Sequence, residues 1–313
     1  MTGASSFTGA WFASALLAAG HEVVALARRD PDVWEEERRR RLALLAPGLR
    51  VLGPAPFGSR AFLHCLESFG PFELLALHGA EAGDHRDPRF DVAAAVAANT
   101  RNLEGVLERA AERGTRAVLV TGSLFEAEEG DGERPLRPFN PYGRAKTLTW
   151  RRIREAAVTR GLTVGKFTLG HPVGPGEKPG LVRTVLDAWQ AGELPHIRHP
   201  HLVRDFQPVD RLARAYADFA ARLVTMPAGT WSLCPSGWTG TLETLVERIA
   251  SAMRPRLARP CRFTMADPPE PTTEPRRRTG LHPLRLLVPD WDEPLFFDRW
   301  AADVRERAGR AAA

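Results

Sequence analysis

Residues 2–9, TGASSFTG, predict a glycine-rich turn that leads directly into a helix. The helix is rich in alanine and leucine at residues 10–19, and the β-branched run HEVVALA at residues 21–27 is typical of a buried strand. In a dinucleotide-binding unit, glycines in such a turn let the main chain approach a pyrophosphate at the helix N-terminus. The residues expected to contact a dinucleotide here are Gly3, Ser6, Phe7 and Gly9. Ser6 stands where the middle glycine usually lies, so its Cβ is expected to crowd the closest main-chain approach.

A glycine-rich turn of this kind should follow a buried strand, and only Met1 precedes it in this 313-residue sequence. In a doubly wound sheet that first strand is central and is covered by helices on both faces. We therefore expect the first strand to be missing from the sequence as given, and the true start to lie upstream of Met1.

Strands and helices alternate through the first half of the chain, which predicts a parallel sheet covered by helices. Further buried strands are predicted at residues 49–52, 72–77, 116–120 and 162–169. Helices are predicted at residues 31–47, 59–69 and 88–113, and from residue 141 to about residue 160. We expect an α/β fold with a Rossmann-like, doubly wound parallel sheet in residues 1–170.

The alternation ends after residue 170, where residues 171–176, HPVGPG, are rich in turn-forming residues. Helices are predicted near residues 181–191, 209–224, 241–253 and 293–307, and the proline-rich residues 255–275 are expected to be irregular. We expect residues 171–313 to form mainly a smaller substrate-binding cap, with some segments returning to the core.

Composition excludes several classes of protein. The net charge is +5, but the arginine runs are interleaved with acidic residues, which favours solvated helix faces over a nucleic-acid-binding surface. No apolar run is long enough to cross a membrane, and no signal peptide is recognisable, so we expect a cytoplasmic protein. The three cysteines are widely spaced and predict neither a disulfide framework nor a metal site.

Asn140 to Lys146, NPYGRAK, predicts the start of a helix with a tyrosine four residues before a lysine. Positions i and i+4 share one face of a helix, so Tyr142 and Lys146 should point into the same space. A nearby ammonium favours the phenolate, which equips the tyrosine to move a proton on or off a carbinol oxygen. The alternative is a surface helix pair in which the tyrosine is only packed.

Two other predicted strands end in small or polar residues, at the edge where open α/β sheets bind ligands. His78, Gly79 and Ala80 follow one strand, and Thr121-Gly122-Ser123 follows another. We expect a cofactor to lie across the first of these strand ends.

Arg28 suggests which dinucleotide would bind. An NAD-binding unit usually ends its second strand in an acid that binds the ribose 2′-hydroxyl, whereas an arginine accommodates a 2′-phosphate. Ala27 occupies the place of the acid and Arg28 follows it. The sequence therefore predicts an NAD(P) cofactor and leans towards NADP, although Asp30 could still reach the ribose and Arg28 could be an ordinary surface residue.

Taken in order, these motifs resemble those of the extended short-chain dehydrogenase/reductases, the NAD-dependent epimerase/dehydratase family. The segments that carry the resemblance are Thr2-Gly3 to Gly9, Asn99, Thr121-Gly122-Ser123, Tyr142 to Lys146, His171-Pro172-Val173-Gly174-Pro175 and Arg204-Asp205-Phe206.

The resemblance implies roles for these residues. Tyr142 would be the general acid/base, and Lys146 would lower its pKa and hold the nicotinamide ribose. Ser123 would hydrogen-bond the reacting oxygen, and Asn99 would lie along the cofactor. The family acts mostly on nucleotide-activated sugars by hydride transfer. Arg204 would then contact the substrate diphosphate, unless it only caps a local carboxylate.

Two departures limit the choice of reaction. Sugar dehydratases of the family carry Asp-Glu after the catalytic Ser or Thr, whereas Leu124-Phe125 follows Ser123, so a dehydratase is disfavoured. His171 stands where sugar-nucleotide epimerases usually have asparagine, which puts the usual substrate in doubt. An epimerase and an NADPH-using reductase remain open, the latter including reduction of a non-sugar carbonyl. A third possibility is a non-catalytic dinucleotide-binding protein.

The resemblance also implies a homodimer. In the family, the helices predicted at residues 88–113 and 141–160 pair with their copies in a four-helix interface. Both helices carry more apolar residues than one buried stripe requires, among them Val92, Val96, Leu148 and Trp150. The alternative is that these residues are buried against the sheet alone.

Overall fold

The computed structural model describes residues 1–81, 87 and 89–312, which divide into two compact units. The first unit comprises Met1–Glu129, Pro135–Leu169 and Ala213–Pro235. The second comprises Gly130–Arg134, Gly170–Leu212 and Ser236–Ala313.

The helices are α1 (Phe7–Ala18), α2 (Glu36–Leu45), α3 (Arg60–Phe69), α4 (Val92–Asn99), α5 (Leu103–Glu112), α6 (Pro141–Thr159), α7 (Leu181–Ala191), α8 (Val209–Leu223), α9 (Leu242–Leu257), α10 (Leu284–Leu287) and α11 (Glu293–Ala312). A short 3₁₀ turn covers Pro31–Val33. None of the helices in the described residues has both the length and the apolar character that crossing a membrane requires.

The strands of the first unit are β1 (Val24–Leu26), β2 (Arg50–Leu52), β3 (Leu74–Leu77), β4 (Ala117–Ser123), β6 (Thr163–Leu169) and β10 (Thr230–Leu233), and the remaining ones are β5 (Asp131–Gly132), β7 (His171–Val173), β8 (His196–Ile197), β9 (Val203–Pro208), β11 (Pro235–Ser236), β12 (Trp238–Thr241), β13 (Thr264–Met265), β14 (Arg278–Thr279) and β15 (His282–Pro283).

The first unit is built on parallel strands, which confirms the predicted α/β fold. Four strands pair in the order β10-β6-β4-β3, and β1 pairs with β2 separately. Thr2 links the two groups through parallel bridges to Leu26 of β1 and Leu77 of β3. The position expected for a central first strand is therefore represented, in the described residues, by this bridging segment at Met1 and Thr2.

The core of the first unit lies between this sheet and its helices. Buried leucine, valine and alanine side chains of β3 and β4 pack against α3, α5 and α6. On the other side, Phe12 of α1 stacks on Tyr216 of α8 with ring centroids 4.1 Å apart, and Phe167 of β6 contacts both rings edge-on. The predicted strands are buried because their apolar side chains pack against helices on both faces of the sheet.

The helix predicted over residues 88–113 is wrong as a single helix. Residue 88 lies outside the described residues, and within the predicted range only α4 and α5 are helical, separated at Thr100–Asn102. Asn102 adopts a left-handed backbone with φ of 47°, which ends the helical path. The break packs closely on Gly58, where an added Cβ would lie 1.8 Å from the Arg101 carbonyl oxygen.

Other elements also differ from the sequence prediction. The helix predicted at residues 31–47 is a 3₁₀ turn followed by α2. Residues 171–173, predicted as turn, form β7, which pairs in parallel with β9 in the second unit. The strand pair β9 and β12 and the edge strand β10 were not predicted.

The second unit has its own core. Buried residues of α7, α9 and α11 pack around Phe206 of β9, and the aromatic group Trp238, Phe296, Phe297 and Trp300 forms part of this cluster. The helices predicted near residues 181–191, 209–224 and 241–253 are confirmed as α7, α8 and α9.

Candidate active site

The glycine-rich turn lies tightly against the end of β3. Gly3 has a φ of 71°, and an added Cβ would lie 2.6 Å from Gly79 Cα. An added Cβ at Gly9 would lie 2.1 Å from the Gly3 carbonyl oxygen. Both positions therefore require glycine, because no side chain fits between these main-chain segments.

Ser6 is the N-cap residue of α1. Its backbone is extended, with φ of −74°, and its Oγ accepts a hydrogen bond from Gly9 N at 3.0 Å. Phe7, the first residue of the helix, is buried. The expected crowding by the Cβ of Ser6 is thus accompanied by an N-cap contact that a glycine could not provide.

His78 joins the turn to the neighbouring strands. Its Nε2 lies 3.0 Å from Ser6 Oγ and 3.1 Å from Thr8 Oγ1, and its Nδ1 lies 3.0 Å from Thr121 Oγ1. The imidazole, which follows β3, thereby connects hydroxyls of the turn and of α1 with a hydroxyl of β4. The contacts of Thr8 and Thr121 with His78 were not predicted, because they join residues 70 and 43 positions apart.

Asn99, at the end of α4, lies at the same edge of the sheet. Its Oδ1 accepts from Glu81 N at 2.6 Å, just after Gly79 and Ala80, which are exposed. Its Nδ2 is buried and finds no hydrogen-bond acceptor in the described part of the chain. A buried donor without a partner fits a polar ligand that supplies the missing acceptor, as the predicted cofactor would.

Arg28 is exposed and forms an ion pair with the carboxylate of Glu81. The structure thus brings Arg28 to the edge where Asn99 fixes the main chain of Glu81. Since Glu81 is separated from Arg28 by 53 residues, the pair could not be read from the sequence.

Tyr142 occupies the first turn of α6. Asn140 caps this helix by accepting from Gly143 N at 2.9 Å, and Pro141 occupies the first turn. The Tyr142 ring lies between Phe90 and Phe125, with centroids 6.1 Å and 6.3 Å away and both contacts edge-on.

Burial raises the pKa of Tyr142, and the negative charge of Glu126 raises it further. This direction is opposite to the lowering expected from Lys146, and the physical reason is that desolvation disfavours the phenolate. The phenol therefore holds its proton at neutral pH, which suits it to donate a proton.

Lys146, one turn further along α6, is buried and donates through Nζ to the carbonyl oxygen of Thr121. Burial lowers its pKa, the charge of Glu126 raises it, and the charge of Lys166 lowers it. The hydrogen bond fixes Lys146 against β4 at Thr121, which lies two residues before Ser123 in the sequence.

Ser123 is the last residue of β4. Its Oγ accepts from Phe125 N at 3.2 Å, and its main-chain N–H donates to Glu126 Oε1 at 2.8 Å. The prediction that Thr121 to Ser123 would lie at a strand end is confirmed, although the strand itself continues to Ser123.

The two residues expected to bind substrate belong to the second unit. His171 begins β7, and burial followed by the charge of Arg204 lowers its pKa to about 4, so it is neutral at pH 7. Arg204 is buried and donates to Glu274 Oε2 at 2.7 Å and to the Pro275 carbonyl oxygen at 3.0 Å. Glu274 is thus a carboxylate partner of Arg204.

A buried group of charges was missed. Lys166 of β6 contacts Glu126 and Glu129, and Lys166 and Glu126 are almost fully buried. The available signal was the lysine in the middle of the apolar run TVGKFTL, since a charge in a buried strand needs a partner.

Comparison with known proteins identifies the family of this chain. A model of the NAD dependent epimerase/dehydratase family matches residues 1–229. A search of curated protein sequences found no significant match.

Several solved structures share the fold. A UDP-glucose 4-epimerase from Thermotoga maritima, solved with UDP-glucose, is 17% identical with a TM-score of 0.74, and the alignment covers 98% of each chain. The Thermus thermophilus UDP-glucose 4-epimerase in complex with NAD is 20% identical with a TM-score of 0.70, over 97% of each chain. A dTDP-glucose 4,6-dehydratase from Streptomyces venezuelae is 17% identical with a TM-score of 0.73, over 99% of this chain and 97% of the other.

These likenesses show a Rossmann-like fold, and the family match extends over the turn, Ser123, Tyr142 and Lys146. The chain therefore belongs to the NAD dependent epimerase/dehydratase family of extended short-chain dehydrogenase/reductases.

Proposed function

We propose that the protein catalyses NAD(P)-dependent hydride transfer at a carbinol or keto carbon of a nucleotide-activated sugar, with Tyr142 as the general acid/base. The observation that carries this proposal is the arrangement at the end of β4. Lys146 of α6 is hydrogen-bonded to Thr121, Ser123 follows two residues later, and Tyr142 lies one turn before Lys146 on the same helix.

Each side chain has a role in this reaction. The bound nicotinamide would supply or accept the hydride. Tyr142 donates a proton to the substrate oxygen or removes one, and Ser123 Oγ hydrogen-bonds that oxygen. Lys146 presents a buried positive charge, which favours the phenolate when the tyrosine acts as a base. Gly3, Gly9 and the start of α1 would hold the pyrophosphate, and the Nδ2 of Asn99 would donate to the cofactor.

The chemistry of the neighbouring loop disfavours a dehydratase. Leu124 is fully buried and Phe125 stacks on Phe139 at 4.6 Å, so neither can protonate a leaving hydroxyl. Glu126 has a carboxylate, but its two oxygens bind Lys166 and the Ser123 main chain. Of the enzyme classes considered, an epimerase and a reductase remain compatible with this loop.

The structural neighbours support the substrate class. The Thermotoga maritima protein is described with UDP-glucose, and the Thermus thermophilus protein is a UDP-glucose 4-epimerase with NAD. We take UDP-sugars as the first substrates to test. Arg204 would have to exchange Glu274 for the substrate diphosphate, because its guanidinium already binds that carboxylate.

The preference for NADP rests on Arg28, as predicted from the sequence. A guanidinium forms charge-assisted hydrogen bonds to a 2′-phosphate. The Glu81 carboxylate competes for the same guanidinium. The cofactor preference should therefore depend on both residues.

Assembly as a homodimer is supported by the outer face of α6. Leu148 is 37% exposed and Val158 is 46% exposed. These apolar side chains would be covered by the helices of a second copy. Light scattering at micromolar concentration should show twice the 34.5 kDa mass of one chain.

The experiment has two readouts. The purified protein is denatured, and any released dinucleotide is identified by mass spectrometry. The intact protein is then incubated with UDP-sugars and each of NAD, NADP, NADH and NADPH. An epimerase should release a retained dinucleotide and isomerise a sugar. A reductase, which acts in reverse here because UDP-sugars supply carbinol carbons, should reduce NADP in proportion to the keto sugar formed. Binding of a dinucleotide without conversion of any sugar would contradict the proposed function and favour a non-catalytic binding protein.

A further inference from the structure

His78 links two parts of the first unit that the proposed reaction uses for different purposes, the glycine-rich turn and β4. Its Nε2 lies 3.0 Å from Ser6 Oγ and 3.1 Å from Thr8 Oγ1, and its Nδ1 lies 3.0 Å from Thr121 Oγ1. Ser6 is the N-cap of α1 and Thr8 belongs to its first turn, whereas Thr121 is a buried residue of β4. One imidazole therefore bridges the start of α1 and the strand that ends in Ser123.

The imidazole suits these partners and is held in place. A neutral imidazole has one donor and one acceptor nitrogen, and a hydroxyl can take either role, so the contacts form whichever nitrogen carries the proton. The ring also packs edge-on against Phe12, with centroids 5.1 Å apart, and Phe12 is fully buried. The position of His78 is thus fixed by packing as well as by its hydroxyl partners.

Main-chain contacts hold the turn on the end of β3 independently of this side chain. Gly79 N donates to Thr2 Oγ1 at 2.9 Å, and an added Cβ at Gly3 would lie 2.6 Å from Gly79 Cα. The turn and the end of β3 are therefore already in contact beside His78. What the imidazole adds is a link from the turn to β4.

Thr121 extends this link to Lys146. The hydroxyl of Thr121 contacts His78, and its carbonyl oxygen accepts from the buried ammonium of Lys146. The same residue thus contacts the turn through its side chain and α6 through its main chain. The position of the turn relative to Lys146 therefore depends on His78 and Thr121 together.

The sharing of Nε2 between two hydroxyls leaves a hydrogen-bond donor over. When Nε2 carries the proton it donates to the hydroxyl oxygens, and when it does not, its one lone pair accepts from only one of them. Ser6 Oγ also accepts from Gly9 N at 3.0 Å, and neither hydroxyl donates to another group among the described residues. At least one of the two hydroxyl protons is therefore available to an acceptor on a bound ligand.

We propose that His78 is a positioning residue of the dinucleotide site: it holds the hydroxyls of Ser6 and Thr8 against Thr121, so that the turn is fixed relative to Lys146 and a hydroxyl donor is presented to the pyrophosphate. His78 acts through these hydroxyls and needs no contact of its own with the ligand. The inference rests on the proposed function, which supplies the dinucleotide, but it is tested by binding and requires no sugar substrate.

The test measures the Kd of NAD and NADP by calorimetry on protein freed of any retained dinucleotide, and stability by urea unfolding. His78→Phe keeps a ring against Phe12 and removes both nitrogens, so both cofactors should bind about tenfold more weakly. A glutamine amide can reach the place of Nε2, whereas an asparagine amide reaches only that of Nδ1. His78→Gln should therefore restore most of the affinity and His78→Asn should not. His64→Phe is the matched control, since His64 is exposed on α3 of the same unit and should leave both affinities unchanged.

A double-mutant cycle tests the link to β4 and keeps the proposal testable if His78→Phe does not fold. Thr121→Val removes the hydroxyl and keeps the carbonyl oxygen that binds Lys146. Alone it should weaken both cofactors about two- to tenfold, the range for one neutral hydrogen bond. In the His78→Phe background it should have no further effect, because the hydroxyl has already lost its partner.

The outcomes separate the two proposals. Wild-type affinity in folded His78→Phe would overturn the positioning role, and so would an equal loss in His78→Phe and His78→Gln or a fully additive double mutant. The predicted pattern of affinities in a protein that converts no sugar would contradict only the proposed function. A wild type that binds neither NAD nor NADP would overturn both.

Discussion

Lys146 donates a hydrogen bond through its buried ammonium to the main-chain carbonyl oxygen of Thr121. This contact ties the helix that carries Tyr142 to the strand that ends in Ser123. The hydrogen bond holds Lys146 of α6 against β4, the strand that carries both Thr121 and Ser123. Lys146 therefore contributes to the candidate site in two ways: its hydrogen bond fixes the position of α6 on β4, and its ammonium supplies a positive charge.

Lys146→Met should therefore lower turnover by about 10² or more, because the variant loses both a preorganised positive charge and the bond to β4. The measurement is kcat on the sugar found by the substrate screen. Lys178→Met is the matched control, since Lys178 is exposed and lies in the second unit. Equal activity of the two variants would rule out a catalytic role for Lys146.

The pair of Arg28 and Glu81 predicts how cofactor choice can be altered. Glu81→Gln should increase affinity for NADP more than for NAD, because it frees the guanidinium for a 2′-phosphate. Arg28→Ala should weaken NADP by about tenfold to a hundredfold, the value of a charge-assisted hydrogen bond, and leave NAD nearly unchanged. Titrations of both cofactors at low and high salt check this, and the NADP preference should fall at high salt. Equal losses for both cofactors in Arg28→Ala would show that this residue does not read the 2′-position.

Gly143 should be essential for the placement of Tyr142. In Gly143→Ala the new methyl would meet the Phe125 carbonyl oxygen at 2.0 Å, so the start of α6 must move. We expect a loss of stability of about 1–3 kcal/mol from overpacking, together with reduced turnover. Gly309→Ala is the helical control: nothing lies within 4 Å of its added Cβ, and alanine should stabilise α11 by up to about 1 kcal/mol. Urea unfolding of both variants measures the difference, and similar free energies of unfolding would contradict the close contact.

Glu177 predicts a pH dependence of stability in the second unit. Burial raises the pKa of this carboxyl from 4.5 to about 8, although Gly174 N donates to it at 3.1 Å. The folded state therefore binds a proton more tightly than the unfolded state. The stabilisation is fully present below the unfolded pKa of 4.5 and is lost as the pH rises through about 8.

The shift from 4.5 to about 8, at about 1.4 kcal/mol for each pKa unit, corresponds to a stabilisation on the order of 5 kcal/mol. Glu177→Gln should remove most of the decrease in Tm between pH 5 and pH 9, because the amide does not ionise. Glu193→Gln, at an exposed position, should leave that decrease unchanged. A wild-type Tm that stays constant over this range would contradict the assignment.

The sequence was informative where a feature is local. The spacing of Tyr142 and Lys146 follows from helical periodicity, and the place of Ser123 follows from the rule that ligands bind at the carboxyl ends of parallel strands. Both segments have the predicted secondary structure, α6 and the end of β4.

Features that depend on distant residues were not predicted. The ion pair of Arg28 with Glu81 and the contacts of Lys166 join residues 37–53 positions apart. The short edge strand β10 has three exposed residues, so it lacks the apolar run of a buried strand. The break at Asn102 depends on Gly58, which is 44 residues away, and no periodic pattern reports it.

The most direct test of the proposed function is Tyr142→Phe. The substitution removes the phenolic hydroxyl and keeps the ring between Phe90 and Phe125, so the fold and cofactor affinity should change little. General acid/base catalysis is worth about 10² to 10⁴-fold, and turnover should fall by that factor. The measurement is kcat on the identified sugar, with dinucleotide binding determined on the same preparation. A loss of at least about 10² in kcat with cofactor binding retained is the predicted result, and a variant that keeps more than about a tenth of the wild-type rate would contradict Tyr142 as the proton-transfer residue.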